Sequence, residues 1–268
     1  GMEIVRGYLS PYFVTDNNTM STTLNDPFIF LYNGVLSNPQ ELVTVLQIAN
    51  TESKPLLIVA DTIVGEALAT LIVNKMRGIV NVCAIKSPDF GDRKIMAMED
   101  LALISNSTLI SPDKGHKLNK MPPGILQPLL GSARTVTITK FKTTIVDGKG
   151  SSKDIETRAE EIKVLIENST SMFEKEKLQE RLGKLVGGVS IINVGGNSEV
   201  EMKEKKDRMV DALYSSLAAI DEGIVIGGGT ALLYASDSID IKGNDDISIG
   251  RRIVKKAIIE PFTKILTN

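Results

Sequence analysis

The run Pro55 to Ala60, PLLIVA, is apolar throughout. A strand with no polar face must be covered on both sides, which is the condition of a central strand in a parallel sheet. A helical pattern follows from Asp61, and Ile79 to Ile85, IVNVCAI, reads as the next strand. Strand, helix and strand at this spacing imply a parallel βαβ unit. The pattern extends both ways. Pro27 to Leu31 reads as a strand ended by a turn at Asn33-Gly34, Ser37 to Asn50 as a helix, Asp92 to Ser105 as another helix and Thr108 to Ile110 as a short strand. Further on, Thr135 to Phe141 and Thr143 to Asp147 alternate in strand fashion before Asp147-Gly148-Lys149-Gly150, and read as an antiparallel layer. The fold class expected is α/β, a parallel layer flanked by helices with antiparallel strands added.

Two of these helices carry more apolar surface than a sheet can cover. In Asp61 to Gly78, the side chains of Ile63, Val64, Ala67, Leu68, Leu71, Ile72, Val73 and Met76 are spread over much more than one stripe at about 100° per residue. Asp61 or Thr62 is placed to cap the start, and Gly78 to end it after Lys75 and Arg77. In the preceding helix Ser37 or Asn38 caps, Pro39 occupies the first turn and Glu41 lies near the N-terminus. Leu42, Val45, Leu46 and Ala49 make an ordinary buried stripe there, and Val43 falls off it. The surplus either is covered by another domain or subunit or lines a binding groove.

Composition narrows the remaining choices. At 268 residues the chain is long enough for one large domain or two smaller ones. A formal net charge of −2 gives no electrostatic case for nucleic acid or an anionic membrane, and no apolar run has membrane-spanning length. The single cysteine, Cys83, excludes an internal disulfide and reads as a buried, inert thiol. The single histidine, His116, cannot build a His-rich metal site. No GxGxxG occurs, and no GxxxxGK followed by Ser or Thr, which argues against a Rossmann or P-loop enzyme. No Ser/His/Asp set, Cys/His set or zinc spacing is present.

The beginning of the chain, Gly1 to Phe13, reads as an extended segment broken at Pro11, and residues 14–25 as a polar loop. From Ser152 the pattern turns helical. Ile155 to Asn168 and Glu174 to Leu185 read as an antiparallel helix pair joined near Ser169-Thr170. Val189 to Val194 reads as a strand, Glu199 to Ile220 as a long amphipathic helix and Ile249 to Leu266 as a last helix. Between them, Gly227-Gly228-Gly229-Thr230 opens a short helix, where backbone amides can approach a phosphate or merely make a tight turn. Asp211 on the long helix is either a surface residue or a carboxylate that orients water or binds Mg²⁺ near a phosphate.

Several stretches, taken in order, resemble the group I chaperonins, the GroEL-type members of the 60 kDa chaperonin family. They are GYLSPYF at Gly7–Phe13, KPLLIVAD at Lys54–Asp61, GEALATLIVNKMRG at Gly65–Gly78 and FGDRK at Phe90–Lys94. The later ones are EKLQERLGKLVGGVSIINVGG at Glu176–Gly196, EVEMKEKKDR at Glu199–Arg208 and EGIVIGGGTALL at Glu222–Leu233. They span nearly the whole chain. Phe13–Ser21, FVTDNNTMS, looks most like plastid-type subunits, so the resemblance implies a plastid stroma, mitochondrial matrix or bacterial cytoplasm, with the plastid favoured. His116–Leu130, with Pro122-Pro123, departs from the family pattern by a few extra residues.

The resemblance implies an apical, polypeptide-binding domain over residues 1–189, the C-terminal half of an intermediate domain over 190–222 and the start of an equatorial segment over 223–268. It implies that the main phosphate-binding loop and a second catalytic carboxylate lie upstream of Gly1. A chain of this extent is then expected to bind polypeptide without hydrolysing ATP. Groove residues carried over from the family are Tyr8, Ser10, Tyr12, Phe13, Val43, Leu46, Leu68, Ile72, Val73 and Asn74, with Val43 and Ile72 as conservative departures. Asp211 matches the carboxylate of ATP hydrolysis, Gly228 a nucleotide-contacting glycine, and Arg6 and Glu199 a pair formed between subunits. The partners implied are non-native polypeptides, a GroES-type co-chaperonin and a homo- or hetero-oligomeric double ring, with ATP and Mg²⁺ as cofactors of the whole subunit. The alternative is a structural module whose apolar surplus is covered by neighbours.

Overall fold

The computed structural model describes residues 1–187, 192 and 194–268. It divides into two compact units, Gly1–Ile191 and Ile192–Asn268.

The first unit is built on a seven-stranded sheet. Its strands are β1 (Met2–Ile4), β2 (Thr22–Asn25), β3 (Phe28–Leu36), β4 (Leu56–Ile63), β5 (Val82–Lys86), β6 (Gly131–Ile138) and β7 (Thr143–Gly148). The order is β1-β7-β6-β3-β4-β5, with β2 also paired to β6. β3, β4 and β5 run parallel, with Leu56 opposite both Phe28 and Val82. β6 joins the two regimes. Its start, Gly131 and Ser132, pairs antiparallel with β3, and its second half pairs antiparallel with β2 and β7.

The parallel strands are connected by α1 (Val43–Thr51) and α2 (Gly65–Met76). α3 (Asp92–Ser105), the short α4 (Pro123–Leu126), α5 (Ser152–Asn168) and α6 (Met172–Val186) complete the unit. Leu56 to Ala60 are wholly buried, as an apolar central strand demands. One continuous core runs from Met2 to Leu185, and α5 and α6 close over α3 with Ala159, Ile162 and Leu185.

Several expectations are corrected by strand pairing. β3 does not stop at Leu31. It continues to Leu36 through a register shift between Tyr32 and Val35, because a bulge re-forms the ladder to β4 where a turn was expected. Asp61 and Thr62 do not cap α2. Thr62 and Ile63 pair with Val35 and Leu36, so the strand takes both residues, and α2 starts at Gly65 behind an uncapped Val64. Residues 22–25 form β2, whose short alternation was lost in a polar stretch. Thr108 to Ile110 makes only a single bridge, Ile110 to Tyr32. Of the two caps expected for the Ser37–Asn50 helix, Asn38 is the one used: with Glu41 it forms a reciprocal capping box on a 3-10 turn, Pro39–Glu41, and α1 follows from Val43 without a side-chain cap of its own; α3 has the expected bounds, and Gly78 follows α2 at φ +68°.

The second unit is helical: α7 (Glu199–Glu222), α8 (Thr230–Ser236), α9 (Asp246–Ala257) and α10 (Glu260–Thr267). The single last helix expected from Ile249 is two helices, since Pro261 sits in the first turn of α10 where it needs no amide partner. Among the described residues of this unit, no apolar side chain is buried. The strand expected over Val189 to Val194 lies largely outside the described residues.

Candidate functional site

The surplus apolar surface of the first unit centres on α2. Its core contact comes from Ala67 and Leu71, both fully buried. A buried leucine contributes roughly 1.5–3 kcal/mol, so this stripe suffices to seat the helix. At about 100° per residue, Leu68 and Ile72 fall beside the stripe and Val73 and Met76 beyond it. The burial follows that order. Leu68 and Ile72 are half-buried against the core, Val73 is 43% exposed and Met76 more so. Apolar surface thus passes from core to solvent across one helix.

Two neighbours extend that surface. α2 touches the 3-10 turn Pro11–Phe13 and the 3-10 turn Pro39–Glu41 that leads into α1. The first presents Tyr12, 63% exposed, and α1 opens with Val43, 49% exposed. Beneath them, Phe13 and Leu46 are buried in the core, and Tyr8 is half-buried. Ser10 is buried as the cap of the first turn, its Oγ accepting from the Tyr12 amide at 3.3 Å. Asn74 closes α2: its Nδ2 donates to the Thr70 carbonyl at 2.8 Å, and its own carbonyl accepts from Ile79 N–H at 3.0 Å. Tyr12, Val43, Leu68, Ile72 and Val73 therefore supply accessible apolar surface, while Ser10, Phe13, Leu46 and Asn74 hold its supports in place.

The surface carries few charges that could titrate into action. Burial lowers the pKa of Lys75 in the last turn of α2, and its ammonium donates to the Asn81 side chain. The thiol of Cys83, on β5, is pushed up to about 12 by burial, which fits the inert role read from its strand. His116 accepts from the Ser111 amide through Nδ1 at 3.1 Å and so ties a loop. Asp61, expected as a cap, instead takes a 2.6 Å ion pair from Lys94 and a 3.1 Å hydrogen bond from the Ser87 hydroxyl. That joins the end of β4 to the start of α3, a contact that neither sequence stretch announced.

The other candidates lie apart from this surface. Asp211 is exposed on α7, and Gly228 sits at φ +66° in the turn before α8, with Gly229 at φ +78°. Two adjacent left-handed positions explain the glycines as backbone requirements. Among the described residues, no group of three or more His, Cys, Asp or Glu is placed to hold a metal. Arg6, in the first unit, donates from Nε to the Ser87 carbonyl at 3.1 Å, and Glu199, in the second, is exposed in the first turn of α7.

Among known families, the model of the TCP-1/cpn60 chaperonin family matches residues 4–268. With almost the whole chain inside that match, the protein belongs to the TCP-1/cpn60 chaperonin family, whose members are ring-forming, generally ATP-dependent chaperones of protein folding.

Proposed function

We propose that this chain is of the group I type and captures non-native polypeptide on the surface of α2, together with Tyr12 and Val43. The observation that carries the reading is the division of labour within α2. Ala67 and Leu71 seat the helix, and Val73 and Met76 are left apolar and exposed without any need of the fold. Burial of apolar surface is non-directional, at ~25 cal/mol per Å², so such a surface accepts many sequences. An extended or amphipathic segment can lie along it, including the mobile loop of a GroES-type co-chaperonin. In the assembled ring, ATP and Mg²⁺ would act at Asp211 and Gly228, and Arg6 would meet Glu199 of a neighbouring subunit. Phe13–Ser21 favours a plastid-type subunit.

The test is a titration with a fluorescent peptide that carries the sequence of a co-chaperonin mobile loop. The comparison is Val43→Glu/Val73→Glu, chosen because both positions are exposed, whereas Leu68 and Ile72 are partly in the core. Saturable binding that the folded double variant loses supports the reading. Equal binding by the double variant refutes it.

A second reading is favoured for the helical unit alone. Ile224 and Val225 are more than four-fifths exposed, and α7 buries nothing. A unit of that kind needs cover from other parts of the ring, so its apolar surface is structural and not a polypeptide site.

A further inference from the structure

A second concave site lies in the first unit, lined by β1, the loop Pro88–Phe90, α3 and the α5–α6 hairpin. It encloses about 810 Å³, within the ~300–1,000 Å³ typical of small-molecule sites. Its walls are apolar in an unusual way for a surface. Phe90 is 75% exposed and Phe173 58%, and Met96 is open beside them. Leu178 lies deeper, against the core. Four apolar side chains facing one cleft are not the scattered exposure of an ordinary surface.

The charges of the cleft are not all neutralised from within. Glu3 is paired with Lys142, Glu180 with Lys177 and Asp100 with Arg181. Among the described residues, Arg93, Lys184 and Arg6 make no salt bridge, and the one hydrogen bond of the Arg6 guanidinium goes to the Ser87 carbonyl. Asp89 and Glu174 are the wall carboxylates likewise without one, Glu174 accepting from the Ser169 hydroxyl at 3.2 Å. Among the wall groups without a salt bridge, three cations thus face two carboxylates, with Arg93 and Lys184 also within electrostatic reach of Glu180. The arginines are also pre-placed. Arg6 lies 4.8 Å from the Phe90 ring centre and Arg93 5.7 Å from that of Phe173. A guanidinium held over a ring keeps its edge donors for a planar anion.

We propose that this cleft binds an amphiphilic carboxylate, an aryl or alkyl chain ending in one carboxyl group. The chain occupies the space between Phe90, Met96, Phe173 and Leu178, and the carboxylate meets Arg93. The buried Asp100–Arg181 pair forms a fixed polar floor that limits how deep the chain goes. The site shares no residue with the α2 surface, so a ligand here leaves polypeptide capture sterically free.

The experiment is a fluorescence titration of the whole chain with 4-(1-pyrenyl)butyrate, run beside the matching neutral alcohol. The expected result is saturable binding of the carboxylate, at least about tenfold tighter than the alcohol. Arg93→Gln and Phe173→Ser, both at exposed positions, should each weaken it about tenfold, and Val43→Glu/Val73→Glu should leave it unchanged. Binding that fails to saturate, alcohol bound as tightly as carboxylate, or an affinity indifferent to Arg93→Gln overturns the proposal. So does loss of binding in Val43→Glu/Val73→Glu, which would put the probe on the polypeptide surface.

Discussion

Asp100 is the clearest place to break the first unit deliberately. Its side chain is 1% exposed. Both carboxylate oxygens are taken by Arg181: Nη2 donates to Oδ1 at 2.8 Å and Nε to Oδ2. Arg158 stands 3.8 Å from Oδ1. One carboxylate on α3 therefore holds a cation from α6 and is approached by another from α5. Asp100→Ala leaves the Arg181 guanidinium in a half-buried site without its partner, a loss of about 3–5 kcal/mol. Arg181→Met should cost less, because Arg158 remains to face the carboxylate. The double variant should be much less destabilised than the sum, since a buried pair exchanged for apolar groups is often neutral. Arg158 keeps Glu99 at 3.7 Å and Glu161 at 3.5 Å in that variant, so it is not stranded. A coupling of at least about 2 kcal/mol is expected. The assay is amide exchange of the α5–α6 segment by mass spectrometry, read in parent, single and double variants, which isolates the hairpin from the second unit. A cost below about 1 kcal/mol for Asp100→Ala, or additive single effects, would refute the reasoning.

Cys83 should resist thiol reagents at pH 8 in the native protein and react only on unfolding; prompt labelling would show the strand to be open. Its folded pKa of about 12 lies above the ordinary 9.0, so its contribution to stability is intact below pH 9 and declines as pH rises toward 12, where the unfolded thiol ionises first. Gly7→Ala should destabilise by about 1–3 kcal/mol, because the added Cβ would lie 2.0 Å from the Lys140 carbonyl oxygen, a backbone atom that yields only if the β6–β7 turn shifts; an unchanged urea midpoint would contradict it.

How far the sequence could be read depended on whether the deciding forces were local. The βαβ order, a cap at Ser37 or Asn38, the bounds of α3 and the left-handed Gly78 rest on neighbouring residues, and all were legible. β2, the continuation of β3 past Gly34 and the claim of β4 on Thr62 and Ile63 depend on partners far along the chain, which no local pattern records. The surplus of α2 was visible as a pattern. Its partition was not, because only packing decides that Leu68 and Ile72 are half-buried while Val73 and Met76 are free. The cleft beside Phe90 and Phe173 left no sequence signal of its own, since it is assembled from segments as far apart in the chain as Met2 and Lys184.

The position of β6 has a consequence for how the chain comes off the ribosome. Residues 28–86 contain every strand of the parallel layer and can pair as they emerge. β2 and β1 cannot. β2 waits for Thr135–Ile138, and β1 for Thr143–Ile145. Until those residues are made, the short alternating segments Met2–Ile4 and Thr22–Asn25 lack their partner strands, and each is a template for the wrong strand. Long-range closure of this kind is slow relative to helix formation. In a member of a protein-folding family, β2 and β1 thus stay unpaired until β6 and then β7 have been synthesised.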